Sequence, residues 1–398
     1  MGRIMIRRRL SILAFVLCGL IAPAAHAIDV TVDDGPVVGV RGQRAASVPI
    51  VRMTGMIEPG DADKLDAVLA RIAAQNPASP GRPLTIIEMS SMGGSLPDGF
   101  QIGLTLRKYR MIAVVRRRDF CVSSCALAFL GGNMRTATAI VPYPDECNVE
   151  IGGKVAFHNF FLNSNGLRQA TSADPVQSRL QGFTDARGGA ALLVKYAGDM
   201  GLQPNFVANL MGRPVDDFQY IETVEQFLSF HVCPIGLERP SIPVEQQAKN
   251  ICFNSLGRTQ PVEKLVLTPI PMGQAKLYML QRLQENMLAS KAKGRLAAQL
   301  ANGAVMRVKD EIDKLYEDLQ AAGVPLPDIV GPTFEVGSRQ SGVYETMCYV
   351  SLSTEAPDRF DVAIQGPRGL AGPSKEPPDN ARRLFLFDRN DVINPRPR

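Results

Sequence analysis

The sequence predicts an α/β protein, because segments of strand length alternate with segments whose apolar residues recur at helical spacing. Between residues 48 and 160, short runs rich in Val, Ile and Met end at turns that contain glycine or proline. Amphipathic or small-residue runs follow several of these turns. Such alternation is typical of parallel strands joined by right-handed crossovers. We therefore expect a sheet of mainly parallel strands with helices packed against it.

The elements of this region can be assigned in order along the chain. The first apolar run, 48–56, ends at a Glu-Pro-Gly turn, after which Asp61 begins a helix whose Leu65, Leu69 and Ile72 share one face. A buried strand then runs into the Gly93-Gly94 turn. The remaining predicted strands cover 84–89, 111–115, 137–141 and 154–160, and the remaining predicted helices cover 97–109 and 121–130.

The downstream half is mainly helical by its apolar spacing. Candidate helices cover 177–200, 205–210 and 224–230, and a long helical stretch covers 274–322. Its apolar stripe fits either a coiled-coil-like oligomerisation arm or a helix packed on its own domain, and the sequence leaves both readings open. Two apolar runs, 344–352 and 359–364, predict a small β hairpin.

The ends of the chain suggest an exported protein. Four early arginines precede an apolar run that is too short to span a bilayer comfortably, and Ala25-His26-Ala27 then supplies a cleavage pattern. We expect a signal peptide at 1–27 and a periplasmic protein, with secretion beyond the periplasm or an uncleaved anchor as alternatives. The remaining divisions are a linker or edge strand at 28–47, an α/β domain at 48–231, a loop-rich connector bearing a disulfide at 232–265, the helical arm and hairpin at 266–365, and a disordered tail at 366–398.

Charge and hydropathy argue against two classes of partner. The net charge is +5, but four positive charges lie in the signal, so the mature chain is close to neutral. Binding to nucleic acid driven by overall charge is therefore not expected. No second apolar stretch is long enough for a membrane span, so we expect no stable membrane span after signal removal.

The cysteines predict disulfides in an exported chain. Of the seven cysteines, Cys18 lies in the signal, which leaves six. Cys233 and Cys252 are the favoured pair, because they flank a short Pro-rich loop without another cysteine. Zinc is the rival reading, but the spacing of Cys121 and Cys125 is not a standard ligand pair, so we expect neither a metal nor another cofactor.

Three local features suggest chemistry. The Gly93-Gly94 turn follows a buried strand, and consecutive glycines leave N–H groups bare, as an oxyanion site requires. Ser123 and Ser124 stand at the start of a small-residue helix, where a hydroxyl is activated by the helix dipole or simply caps the helix. His158 ends an apolar strand and is suited to general-base catalysis, although a strand histidine is often structural.

In this order the three features resemble the Clp protease proteolytic subunit family, of the crotonase superfamily, and its exported bacterial relatives. The matching stretches are 86–95, 121–135 and 155–160, and exported relatives share the Cys-x-Ser-x-Cys pattern of Cys121, Ser123 and Cys125. The resemblance implies a core of repeated β-β-α units, with Ser123 as nucleophile and His158 as base. It also implies an oxyanion hole formed by Gly93 or Gly94 with the N–H of Ser124.

The sequence departs from this family in three ways. Met92 replaces a proline before the two glycines, and an insertion at 142–153 carrying Cys147 lengthens the spacing between the serine and the histidine. The third triad member is Asp216 or Asp217, and Asp217 is favoured. A Ser–Lys dyad with Lys154 is a further option, but Lys154 should point elsewhere, four residues along the same segment from His158.

The expected function is that of an exported serine peptidase-like hydrolase. It would cleave peptides or unfolded proteins through a Ser-His(-Asp) acyl-enzyme mechanism, and ring-forming relatives suggest a homo-oligomer. The alternative is a catalytically inactive scaffold or peptide-binding oligomer in the periplasm. An acyl-CoA enzyme of the same superfamily is disfavoured because export removes the protein from cytoplasmic CoA.

Overall fold

The computed structural model describes residues 27–33, 49–75, 84–132, 147–159, 175–202, 204–214, 216–256, 265–289, 309–338, 347–356, 359–366, 369–371 and 381–397. Nearly all of the predicted signal peptide and the predicted strand 137–141 lie outside these residues. Within them the protein has the α/β character expected from the sequence, with helices packed on several separate sheets. No helix in the described ranges combines the length and the hydropathy needed to cross a bilayer.

The first sheet contains four strands in sequence order. They are β1 (Asp29–Asp33), β2 (Ile50–Thr54), β3 (Ile86–Ser90) and β4 (Ile112–Val114). β1 pairs antiparallel with β2, whereas β2, β3 and β4 are parallel. Parallel strands require crossover connections, and the helices α1 (Asp61–Gln75) and α2 (Leu96–Lys108) supply them.

A second group of strands lies beyond the carboxyl ends of the first sheet. β5 (Phe120–Val122) pairs parallel with β7 (Lys154–Phe157), which pairs antiparallel with β8 (Gln219–Tyr220). A bridge between Ser91 and Cys121 connects the end of β3 to β5. β6 (Cys147–Glu150) pairs parallel with β9 (Cys233–Ile235), and a bridge between Val115 and Val149 joins it to the end of β4.

Side-chain caps and close packing hold the helices of this region. Asp61 is buried and its carboxylate accepts hydrogen bonds from the backbone N–H groups of Ile28 and Glu58, which ties β1 to the start of α1. Ser95 caps α2 by accepting from the Asp98 N–H. The helix α3 (Ser124–Gly131) lies so close to α2 that a Cβ on Gly131 would be 2.0 Å from the Gly103 carbonyl oxygen. This contact fixes α3, and therefore the residue that precedes it.

The chain then forms further helices: α4 (Pro175–Asp199), α5 (Pro204–Met211), α6 (Val224–Phe230) and α7 (Val244–Leu256). α6 begins with a capping box in which Thr223 and Gln226 satisfy each other's backbone N–H groups. It ends at His231, whose φ of 51° is the left-handed conformation of a helix C-cap. His231 therefore has a structural position at the end of a helix.

The C-terminal part is a five-stranded antiparallel sheet with helices on both faces. Its strands are β10 (Leu265–Ile270), β11 (Thr333–Ser338), β12 (Met347–Leu352), β13 (Phe360–Gly366) and β14 (Gly369–Ala371). Along β12, Cys348, Val350 and Leu352 pack into the main core, whereas Tyr349 faces a second cluster with α8 (Ala275–Ala289) and α9 (Lys309–Ala321). The predicted hairpin is present as β12 and β13. The described parts of the long helical stretch, α8 and α9, pack on their own domain. This was one of the two interpretations that the sequence left open.

The disulfides differ from the pair that the sequence favoured. Cys252 of α7 bonds to Cys348 of β12, and Cys121 bonds to Cys125. The prediction of a Cys233–Cys252 bond is therefore wrong, and Cys233 is a buried free thiol in β9. The reason lies in the tertiary structure, because α7 packs on the C-terminal sheet. This packing places Cys252 against Cys348, although the two residues are 96 positions apart in sequence.

The prediction of a disordered tail is wrong for residues 381–397. A 3-10 helix, Arg382–Leu386, buries Leu384 and Leu386 in the main core. Asn394 is 1% exposed and holds the chain against the α/β region by donating to the Gly153 and Ile221 carbonyl oxygens. The high content of proline and arginine in this segment predicted disorder. The buried side chains of two leucines and one asparagine nevertheless hold it against the rest of the protein.

Candidate functional site

Ser123 occupies a strained turn between β5 and α3. Its φ is 59° and its ψ is −127°, a backbone conformation that residues other than glycine rarely adopt. Its side chain makes no capping hydrogen bond to α3, so the capping reading of this serine does not hold. A sharp strand-to-helix turn of this kind exposes the nucleophilic serine hydroxyl in α/β-hydrolases.

The burial pattern separates Ser123 from its neighbour. Ser123 is half-buried, whereas every other residue from 121 to 132 is buried. Ser124 is 1% exposed, and its Cβ lies 2.7 Å from the position that a Cβ on Gly99 of α2 would take. Ser123 is therefore the more accessible of the two serines.

The register of two parallel strands brings Ser123 close to His158. Val122 pairs with Ala156, and the Ser123 N–H donates to the Ala156 carbonyl oxygen at 2.9 Å. Ser123 and His158 both follow directly on these strands, at the same end of the sheet. Residues opposite each other on neighbouring strands lie ~4.8 Å apart, and in this register Ser123 stands opposite Phe157, one residue before His158. The backbone pairing therefore makes Ser123 and His158 neighbours at the ends of β5 and β7.

Contacts of His158 and of its neighbour Asn159 fix the end of β7. The imidazole ring packs against the Phe218 ring with centroids 4.7 Å apart. The neighbouring Asn159 donates through its side-chain amide to the carbonyl oxygens of Met211 and Arg213, at 3.2 and 3.3 Å. The sequence analysis did not single out Asn159. Its position next to His158 was the one signal that could have drawn attention to it. These bonds connect the end of β7 to the segment that carries the candidate acids.

The glycine turn lies against Ser123. A Cβ on Gly93 would be 2.6 Å from the Ser123 Cβ and 3.0 Å from the Ser124 nitrogen. The φ values of Gly93 and Gly94 are 91° and 143°, so both positions favour glycine. The two predicted parts of the oxyanion hole, the glycine turn and the start of α3, are thus in direct contact.

The backbone N–H groups of Gly93, Gly94 and Ser124 differ in whether they donate a hydrogen bond. The Gly93 N–H donates to the Ser91 hydroxyl at 3.0 Å. Across the described residues, no hydrogen bond uses the N–H of Gly94 or of Ser124. The first N–H groups of a helix have no partner within that helix, and they lie at the positive end of its dipole. Gly94 and Ser124 therefore carry the candidate donors of the predicted oxyanion hole.

The candidate acids lie on the surface. The Asp217 carboxylate accepts a hydrogen bond from Arg213 Nη1 at 2.7 Å, and its side chain is 47% exposed. Asp216 is exposed as well. Phe218, the next residue, is the one that contacts the imidazole. The structure thus brings the Asp217 segment to His158 while directing the carboxylate to an arginine.

Lys154 points away from Ser123, as the sequence suggested. Its ammonium donates to Asn394 Oδ1 at 3.1 Å and to the Pro395 carbonyl oxygen at 2.5 Å. Burial lowers the pKa of Lys154 below its usual value, while Glu222 nearby acts in the opposite direction. Lys154 thus anchors the C-terminal segment, which leaves His158 as the candidate base.

The fold and the site define a mixed α/β protein with a candidate serine nucleophile at a strand-to-helix turn. Within the described residues, no three His, Cys, Asp or Glu side chains are grouped so that they could hold a metal ion. No protein-family model matches the chain, and a search of curated proteins finds no matching relative.

Proposed function

We propose that this protein is an exported serine hydrolase that cleaves peptide bonds with Ser123 as nucleophile and His158 as general base. One observation carries the assignment: Ser123 is a non-capping, half-buried serine in a left-handed turn, beside the strand that His158 follows. Backbone strain of about 1–3 kcal/mol persists at a single residue where function or packing requires it. Here the strain keeps a hydroxyl exposed at the start of an otherwise buried helix.

The reaction follows from the groups around Ser123. His158 takes the proton of the Ser123 hydroxyl while the oxygen attacks a peptide carbonyl carbon. The N–H groups of Gly94 and Ser124 stabilise the negative charge on the carbonyl oxygen. The imidazolium then returns its proton to the leaving amine, the C–N bond breaks, and an acyl-enzyme forms. Water, deprotonated by His158, hydrolyses this ester and restores the serine.

An extended peptide is the substrate class that fits this site. Gly93 and Ser95 bond to Ile57 on one edge of the glycine turn, whereas the N–H of Gly94 makes no hydrogen bond in the described residues. A substrate strand can therefore add beside the glycine turn through main-chain hydrogen bonds. The order strand, short paired segment and helix recurs at β2 with α1, at β3 with α2, and at β4 and β5 with α3. This recurrence supports membership of the Clp-like group, with export, a periplasmic location and a homo-oligomer as parts of the same proposal.

The position of the Asp217 carboxylate favours a second candidate function. The Asp217 carboxylate binds Arg213, and a histidine without an orienting acid is a weak base. The same fold would then serve as an inactive scaffold that binds peptides beside the glycine turn. The two functions differ in one measurable property, the reactivity of Ser123.

Reaction with a fluorophosphonate probe tests the assignment. The wild-type protein should be labelled at Ser123, and Ser123→Ala should abolish labelling. Ser124→Ala is the matched control, because it removes the neighbouring hydroxyl, which is 1% exposed, and should leave labelling intact. His158→Ala should slow labelling by about 100-fold or more, the usual contribution of a general base.

Each outcome separates the two functions. Labelling that persists in Ser123→Ala would refute Ser123 as nucleophile. A wild-type protein that is never labelled, yet binds an unfolded peptide in calorimetry, would identify the inactive scaffold. Asp217→Asn separates a triad from a dyad: a slower labelling reaction would assign a catalytic acid, and an unchanged rate would leave Asp217 to its Arg213 ion pair.

A further inference from the structure

The disulfide between Cys121 and Cys125 spans the turn that contains Ser123. Its S–S distance is 2.04 Å, and the two Cα atoms are 5.1 Å apart. Both cysteines are completely buried, one in β5 and the other in the first turn of α3. Four steps along an extended chain can span about 13 Å, so the bond holds the turn to less than half of its reach.

The turn needs such a restraint, because its central residue is the strained one. The φ of Ser123, 59°, is unfavourable for a residue that carries a Cβ. On the β5 side, the Val122 N–H donates to the Ser91 carbonyl oxygen at 3.0 Å. On the helix side, the Leu127 N–H donates to the Ser123 carbonyl oxygen at 3.2 Å. These hydrogen bonds fix each flank, and the disulfide joins the two flanks covalently.

We propose that the Cys121–Cys125 disulfide is a positioning clamp that holds Ser123 in its reactive conformation, so that hydrolysis requires the oxidised protein. Without the bond the turn can widen and Ser123 can return to a negative φ. The hydroxyl then moves relative to His158 and to the N–H groups of Gly94 and Ser124. The part of this inference that concerns activity rests on the proposed function, whereas the part that concerns conformation does not.

The chemistry of the clamp is a two-electron exchange. Formation removes one electron and one proton from each thiol, and a disulfide-type oxidant accepts them. Reduction by a phosphine breaks the S–S bond, the phosphine becomes a phosphine oxide, and water supplies its oxygen and the two thiol protons. Because both cysteines are buried, we expect reduction to be slow in the native protein.

A pair of double variants tests the clamp. Cys121→Ala with Cys125→Ala removes it, while Cys252→Ala with Cys348→Ala removes the other observed disulfide and serves as the matched control. The readouts are the fluorophosphonate labelling rate, the kcat and KM for a dye-quenched unfolded protein, and hydrogen exchange of the peptide that covers residues 118–132. Loss of the clamp should slow labelling about 10- to 100-fold, the effect of a misplaced reacting group. It should lower kcat, leave KM unchanged and speed exchange in that peptide.

The control should keep its labelling rate and, once its lower unfolding free energy is allowed for, its exchange in residues 118–132. If the clamp variant does not fold, the same readouts are taken on the control variant before and after phosphine treatment, with thiol alkylation to follow reduction of Cys121 and Cys125. Labelling and exchange that do not change when the clamp is lost would overturn the inference. A wild-type protein that is never labelled would refute the proposed function instead, and hydrogen exchange would then decide the conformational part alone.

Discussion

Replacing Gly93 by alanine should disable Ser123 by a steric effect that can be calculated from the structure. The added Cβ would lie 2.6 Å from the Ser123 Cβ and 2.7 Å from the Val122 carbonyl oxygen. Ordinary contacts between carbon atoms are about 3.5–4.0 Å, so the two segments must separate by roughly 1 Å. A displacement of that size at a reacting group costs about 100-fold in rate.

Gly60→Ala is the matched control for backbone strain. Gly60 has a φ of 95°, close to the 91° of Gly93, but a Cβ there would meet no atom within 4 Å. Both variants carry the cost of a left-handed alanine, about 1–2 kcal/mol of unfolding free energy. Gly93→Ala adds an overpacking cost of about 1–3 kcal/mol. We therefore expect losses of about 2–5 kcal/mol for Gly93→Ala and about 1–2 kcal/mol for Gly60→Ala.

Urea unfolding and fluorophosphonate labelling measure the two effects separately. Gly93→Ala should be folded at low urea and labelled about 100 times more slowly than wild type. Gly60→Ala should be labelled at the wild-type rate. Equal labelling rates in the two alanine variants would show that the glycine turn does not support Ser123, and the geometric reasoning would be refuted.

Three further predictions concern stability. Burial raises the pKa of Asp361 above its ordinary value of 3.8, so its contribution is complete below that pH and is lost as the pH rises through the raised pKa. Asp361→Asn should remove this loss of stability as the pH rises above 3.8, and an identical pH dependence of the melting temperature in the variant would contradict this. Asn394→Ala should cost about 1–3 kcal/mol in urea unfolding, because it removes the hydrogen-bond partner of the Gly152 N–H and one of the two partners of Lys154; no loss would mean that the segment is not anchored there. Removing the Cys252–Cys348 bond, which spans 96 positions, should lower the unfolding free energy by about 4–5 kcal/mol, and a loss below 1 kcal/mol would argue against this pairing.

Local patterns were sufficient for the elements of the α/β region. The apolar run before Gly93 is β3, the helix at Asp61 begins at its predicted capping residue, and the helix predicted at 97–109 is α2. Such signals are local, since capping and periodicity depend on residues within one or two turns. Composition failed for residues 381–397, because an anchored segment needs only a few buried groups while its average composition remains polar.

The candidate site was predictable by residue type but not by its arrangement. Glycines after a strand, a serine at a helix start and a histidine at a strand end were all visible in the sequence. The left-handed φ of Ser123 was not, because the strain depends on the bond to Ala156 and on the position of α3. The bond between Asp217 and Arg213 could not be anticipated either, since a surface carboxylate binds whichever cation the fold brings near.

The sequence by itself determined the α/β class, the starts of several helices and the glycine turn, because each follows from short-range chemistry. It also singled out Ser123 and His158 as candidate site residues. Only the tertiary structure decided that Cys252 meets Cys348, that Ser124 is buried beneath α2, and that β5 and β7 lie side by side with Ser123 and His158 at one end. These facts depend on which distant segments pack together. Such packing is decided by the combined burial of many side chains, and no single stretch of the chain contains that information.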